Sequence, residues 1–236
     1  MPDMKTKILK IIQPVLLVLS AACMAGTAQA QIFVSYFPRS GNPDNATIGE
    51  YSTSGASISA SLISGLDDPL SLASDGNGHL FEANFGNNTI GEYSTSGATI
   101  NASLISGLNN PHQMVLDGNG DLFVANLAGT GTIGEYNATT GATISASLIS
   151  GLGGNGSLAF DGNGDLFVAT SNGTIGEYNA TTGAAIHASL VSGINDITGI
   201  VVVVPEPSTF ALAAFGAAGL LACRRTPVRT HSAPRL

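Results

Sequence analysis

Residues 117–152 read DGNGDLFVANLAGTGTIGEYNATTGATISASLISGL, and this stretch decides the fold. Short runs rich in Leu, Phe, Val, Ile, Tyr and Thr alternate with clusters of Gly, Asn, Asp and Thr. Each run is too short for a helix and has the composition of a strand. Asn-Gly and Ser-Gly pairs supply the positive φ angles that tight hairpins need.

The same phrases recur on both sides. TIGEY occupies Thr47 to Tyr51, Thr89 to Tyr93, Thr132 to Tyr136 and Thr174 to Tyr178, at spacings of 42, 43 and 42 residues. SLISGL begins at Ser61, Ser103 and Ser147 and returns as SLVSGI from Ser189. DGNG begins at Asp75, Asp117 and Asp161. Three landmarks keeping one period define an internal repeat. In the second copy the pattern predicts strands over 70–74, 79–84, 89–93 and 99–105, and four strands in about 42 residues is the period of a propeller blade.

The first copy starts at Gln31 with Ile32-Phe33-Val34, which aligns with Leu80-Phe81-Glu82, so it lacks a first strand. A segment from Ile197 to Val204 follows the last SLVSGI at the place where a further first strand would begin. Pairing that segment with the first copy would close the sheets and remove exposed edges. The expected fold is all-β: a small propeller of four four-stranded blades over residues 31–204, closed by a C-terminal strand. The phrase Asp117 to Asn126 resembles the NHL-repeat and gluconolactonase-like propellers. That resemblance implies a fold and leaves function open, because such propellers host enzymes and binding modules alike.

The two ends read as addresses. Lys5, Lys7 and Lys10 precede an apolar run from Ile11 to Ala25, and Ala28-Gln29-Ala30 follows. This predicts a secretory signal helix over residues 1–30, cut by signal peptidase before Gln31. Val204-Pro205-Glu206-Pro207-Ser208-Thr209 leads into an apolar stretch from Phe210 to Cys223, then Arg224-Arg225. These residues resemble the PEP-CTERM sorting signal of exopolysaccharide-producing bacteria, whose parts are recognised by the membrane protease-transpeptidase exosortase. The resemblance implies a short hydrophobic helix within 205–225, transient inner-membrane anchorage with the arginines left on the cytoplasmic side, and delivery to the cell surface or beyond. Prolines 205 and 207 hold the chain extended, as a protease cleft requires. Residues 226–236 read as a disordered basic tail.

Charge narrows the function further. Charged residues make up only 10% of the 236-residue chain, against about 25% in an ordinary soluble domain. Between Gln31 and Val204 there are 14 acidic side chains and one basic residue, Arg39, a net charge of −13. Such a body repels phosphate backbones and excludes nucleic-acid partners. Cys23 and Cys223 both lie in the apolar ends, so the body has no thiol chemistry.

Asp117, Asp121, Asp161 and Asp165 alternate oxygen donors in DGNGD loops that resemble calcium loops, but Leu122 and Phe123 intervene as strand residues, so hairpin turns are expected and no cofactor. Glu50, Glu92, Glu135 and Glu177 recur once per copy and are expected at solvated or edge positions. His79 and His187 sit in repeat positions and His231 in the tail. His112 follows Pro111 in a context similar to virginiamycin B lyase. No nucleophile elbow or phosphate loop is present, and the body carries no lysine. The expectation is a non-enzymatic surface or matrix protein that meets extracellular polysaccharide, with a metal-dependent lactonase-like or lyase-like propeller enzyme as the rival.

Overall fold

The computed structural model describes residues 30–37, 46–194 and 197–203. The chain divides into two compact units, the first ending at Pro111 and the second starting at His112. In the first unit, β1 (Gln31–Tyr36), β2 (Thr47–Ser52) and β3 (Ser57–Ser64) form a three-stranded sheet. A four-stranded sheet follows, made of β4 (Pro69–Ser74), β5 (His79–Asn84), β6 (Thr89–Ser94) and β7 (Thr99–Ile105). The second unit holds β8 (Pro111–Leu116), which opens at the boundary, with β9 (Asp121–Asn126), β10 (Thr132–Asn137) and β11 (Thr143–Ser150). Its other sheet is β12 (Asn155–Phe160), β13 (Asp165–Thr170), β14 (Thr174–Asn179) and β15 (Ala185–Ser192). Every sheet is an antiparallel meander in chain order.

The turns follow from the DGNG phrase. Asp75 Oδ1 accepts hydrogen bonds from the amides of Asn77 (2.7 Å) and His79 (3.0 Å), and Gly78 turns the chain at φ +103°. Asp117 repeats this with Asn119 and Asp121, both at 2.8 Å, and Asp161 with Asn163 and Asp165 at 2.7 and 3.1 Å. A short carboxylate that satisfies two amides fixes a hairpin without help from elsewhere.

The TIGEY phrase has a packing reason. In β10, a Cβ on Gly134 would stand 2.6 Å from Cε2 and from the hydroxyl of Tyr136, and Gly91 and Gly176 face Tyr93 and Tyr178 in the same way. The tyrosine ring lies across the glycine two residues earlier, on the same face of the strand. Its hydroxyl then reaches the next strand, where Asn84 bonds Tyr93 and Asn126 bonds Tyr136.

Those tyrosines close the cores. In the first unit, Ala46, Ile48, Ile63 and Leu66 of the first sheet and its flanks pack on Leu80 and Tyr93 of the second. In the second unit, Phe123, Ala125, Ile133 and Ile149 pack on Leu158, Leu166, Val168 and Tyr178. Phe123 stacks on Phe160 with ring centroids 6.3 Å apart and planes 15° from parallel. Each such Val, Leu, Ile or Phe side chain contributes roughly 1.5–3 kcal/mol by leaving water.

The strands expected in the second copy agree with β4 to β7 to within a residue, and the first sheet does lack a first strand. The expected closing strand is not formed among the described residues. Residues 197–203 form no strand, and Val204 lies outside the described residues. The segment instead runs beside β12: the Ile200 amide donates to Ser157 Oγ at 3.2 Å, and a Cβ on Gly156 would stand 2.9 Å from the Ile197 carbonyl oxygen. The signal helix, the hydrophobic helix and the basic tail all fall outside the described residues.

Candidate functional site

The recurring glutamate is the most chemically loaded position of each sheet; in three of the four copies it is buried, and Glu177 of the fourth is partly exposed. Glu50, Glu92 and Glu135 are 6%, 6% and 9% exposed. The expectation of open or edge glutamates is corrected by the topology. The third strand of each four-stranded sheet, and β2 of the first, pairs on both sides, so these glutamates are not on sheet edges, and side chains of both flanking strands stand beside them on the same face. Across the ladder each glutamate stands opposite Ser59, Asn101, Ser145 or His187.

A buried carboxylate needs a partner, and the copies supply different ones. Gln31 Nε2 donates to Glu50 Oε1 through a short hydrogen bond. His79 Nδ1 lies 3.5 Å from Glu92 Oε1 and 3.1 Å from Asp75 Oδ2. His187 Nδ1 meets Glu177 Oε2 at 2.7 Å. In the third copy the place of Gln31 and His79 is taken by Asp121. Burial, and then the charges of Asp121 and Asp117, push the Glu135 carboxyl above the ordinary range.

The DGNGD acids act as turn residues. Burial works to raise the Asp75 and Asp161 carboxyls, but the amides they accept outweigh it and hold both below the usual range. Among the described residues no group of three or more His, Cys, Asp or Glu side chains is placed to hold a metal ion. Asp117 and Asp161 are committed to their hairpins, and Asp121 and Asp165 begin β9 and β13. His112 stands at the start of β8 with Nδ1 buried and without a hydrogen-bond partner.

One residue escaped the sequence reading. Glu82, on β5, is 0% exposed, and among the described residues neither carboxylate oxygen makes a hydrogen bond of normal geometry, the Ser71 amide only approaching it. Burial pushes its carboxyl up to about 9, against a small opposing pull from the Ser71 amide. The available signal was comparative: the same position holds Val34, Val124 and Val168 in the other copies.

Tandem antiparallel sheets of this kind define a blade-built, all-β protein. A chain of the crystal structure of the nidogen/laminin complex matches with a TM-score of 0.63 at 18% identity, over 75% of this chain and 65% of that one. The likeness shows the fold, a β-propeller, and the chain spans 65% of that neighbour's length. The computationally designed Ika4 protein (TM-score 0.46, 16% identity, 60% of this chain and 86% of that one) and Ika8 protein (0.48, 17%, 70% and 50%) also match. No curated protein matches the chain. Residues 203–225 match the family described as the PEP-CTERM protein-sorting motif. The match spans Val204 to Thr209 and the Arg224-Arg225 pair, all outside the described residues. The protein therefore carries the mark of an exported, exosortase-sorted chain attached to a β-propeller body.

Proposed function

We propose that the protein is an exported structural or binding component of the cell surface or extracellular matrix, where it meets exopolysaccharide. Signal peptidase removes residues 1–30. The apolar stretch then holds the chain in the inner membrane until exosortase cuts or transfers it at Pro205-Glu206-Pro207. The observation that carries this reading is the sorting-motif match at residues 203–225. The body supports it: each conspicuous acid of the repeat is engaged in a turn or set against a neighbouring strand. A propeller enzyme needs different residues converging from different blades, and these near-identical repeats offer the same residue types in each. The non-enzymatic role rests on that contrast.

The same reading gives residues 197–204 the part of the absent first strand of the first sheet. Its support is that, among the described residues, β1 has β2 as its one sheet partner and exposes Ile32, Val34 and Tyr36, while Val201 and Val203 are 81% and 80% exposed.

Replacing Pro205, Glu206 and Pro207 with alanine in the native host tests the delivery. The expected product is a full-length chain retained in the membrane fraction. Unchanged release on an immunoblot would overturn the sorting role.

A further inference from the structure

Glu82 stands at a position that the repeat otherwise gives to an apolar side chain. Strand alternation puts it on the face of β5 that carries Leu80, and Leu80 packs into the core between the two sheets of the first unit. Leu72, directly across the ladder on β4, packs against that same core. Gly91 faces Glu82 on β6, and the Tyr93 ring lies over that glycine. The first sheet covers this face.

The polar groups nearby are already engaged. Asn84 Oδ1 accepts the Asp67 amide at 3.1 Å, Asn84 Nδ2 donates to the Glu82 carbonyl at 3.4 Å, and the Asn84 side chain also bonds the Tyr93 hydroxyl. Tyr93 is the titratable neighbour on β6 and feels the charge of Glu82. β4 carries no titratable side chain, and His79 lies at the exposed far end of β5. On the covering sheet the titratable groups are Tyr36, Glu50 and Tyr51, and none of them contributes to the shift of Glu82. Apart from the Ser71 backbone amide on β4, nothing among the described residues around Glu82 offsets a negative charge, and an ionised carboxylate in such a place is costly.

We infer that the folded first unit holds one proton on Glu82, and that this proton makes the packing between its two sheets a pH-sensitive element that weakens as the medium turns alkaline. The sign follows from linkage. The carboxyl rises from 4.5 to about 9 on folding. Below the lower value both states carry the proton and stability is flat. Between the two values the unfolded chain releases the proton while the folded chain keeps it, so folding weakens tenfold per pH unit. Above about 9 both states are ionised and the loss stops growing.

The test is urea unfolding of the full chain from pH 5.5 to 8.5, beside Glu82→Gln and Glu82→Val. Titrations shared by all three chains cancel in the comparison. The folding constant of the parent should fall tenfold per pH unit relative to both variants. Its infrared spectrum at pH 7 should show a protonated-carboxyl band that Glu82→Gln lacks. Parallel pH slopes, or the absence of that band, would overturn the inference. If the variants do not fold, hydrogen exchange of the parent decides. Exchange of β5 relative to the matched strand β9, where Val124 replaces the acid, should rise with pH, and a constant ratio would overturn the proposal.

Discussion

Changing Gly134 to Ala tests the packing logic of the repeat most directly. The backbone at Gly134 does not adopt a positive φ, so alanine is conformationally permitted and only space is at issue. The added methyl would stand 2.6 Å from Cε2 and the hydroxyl oxygen and 2.9 Å from Cζ of Tyr136, a ring 4% exposed. The ring cannot slide outward without giving up its bond to Asn126. Overpacking of this kind costs about 1–3 kcal/mol, and the lost buried hydrogen bond about 1 kcal/mol more. Glycine's extra freedom in the unfolded chain returns about 0.4–1 kcal/mol. The expected net loss is about 2 kcal/mol.

Urea unfolding followed by tyrosine emission and circular dichroism would read it, since the chain has no tryptophan. With a slope of about 2 kcal/mol per molar urea, the midpoint should fall by about 1 M. Gly118→Ala is the internal control: its Cβ meets nothing within 4 Å and its φ is not positive, so it should be neutral or slightly stabilising. In a Tyr136→Leu background the penalty of Gly134→Ala should vanish. Equal midpoints for the two glycine variants, or a penalty that survives removal of the ring, would refute the argument.

Three further outcomes are expected. Gln31→Ala removes the donor from Glu50, which is 6% exposed, and should cost about 1–3 kcal/mol in the same assay, whereas an unchanged midpoint would show that the amide contributes nothing. After exhaustive dialysis the protein should hold no stoichiometric calcium or magnesium by elemental analysis, and bound metal that disappears in Glu135→Gln or His112→Ala would favour the enzymatic rival. Replacing Val201, Val202 and Val203 with serine should speed hydrogen exchange of Gln31–Tyr36 if residues 197–204 complete the first sheet, and unchanged exchange would remove them from that role.

Most of the fold was legible because the repeat states it four times. A single DGNG or TIGEY could be a coincidence, but three phrases keeping one period fix strand count, turn positions and the missing first strand together. What the strings could not convey was burial. Seen alone, Glu92 is a charged residue between Gly91 and Tyr93. In the fold it sits on an inner strand between β5 and β7 with His79 beside it, and is 6% exposed. Segment 197–204 shows the same limit. Its valines have the composition of a strand, but composition does not say what the chain lies beside, and Ser157 Oγ holds the Ile200 amide there.

The glutamates also show where chemistry can and cannot reside in such a chain. The repeat fixes an acid in each sheet and then faces the same desolvation problem in every copy. Gln31, His79 and His187 approach it from different strands, β1, β5 and β15, with neutral or basic side chains. Partners that differ while the packed frame of Tyr, Gly and Leu stays the same are what local compensation requires, since each repair need only work within its own sheet. An active site makes the opposite demand: residues of different type fixed at one common point. Three of the four copies thus meet the recurring acid with a partner from within their own sheet, which accords with the structural or binding role proposed for the body.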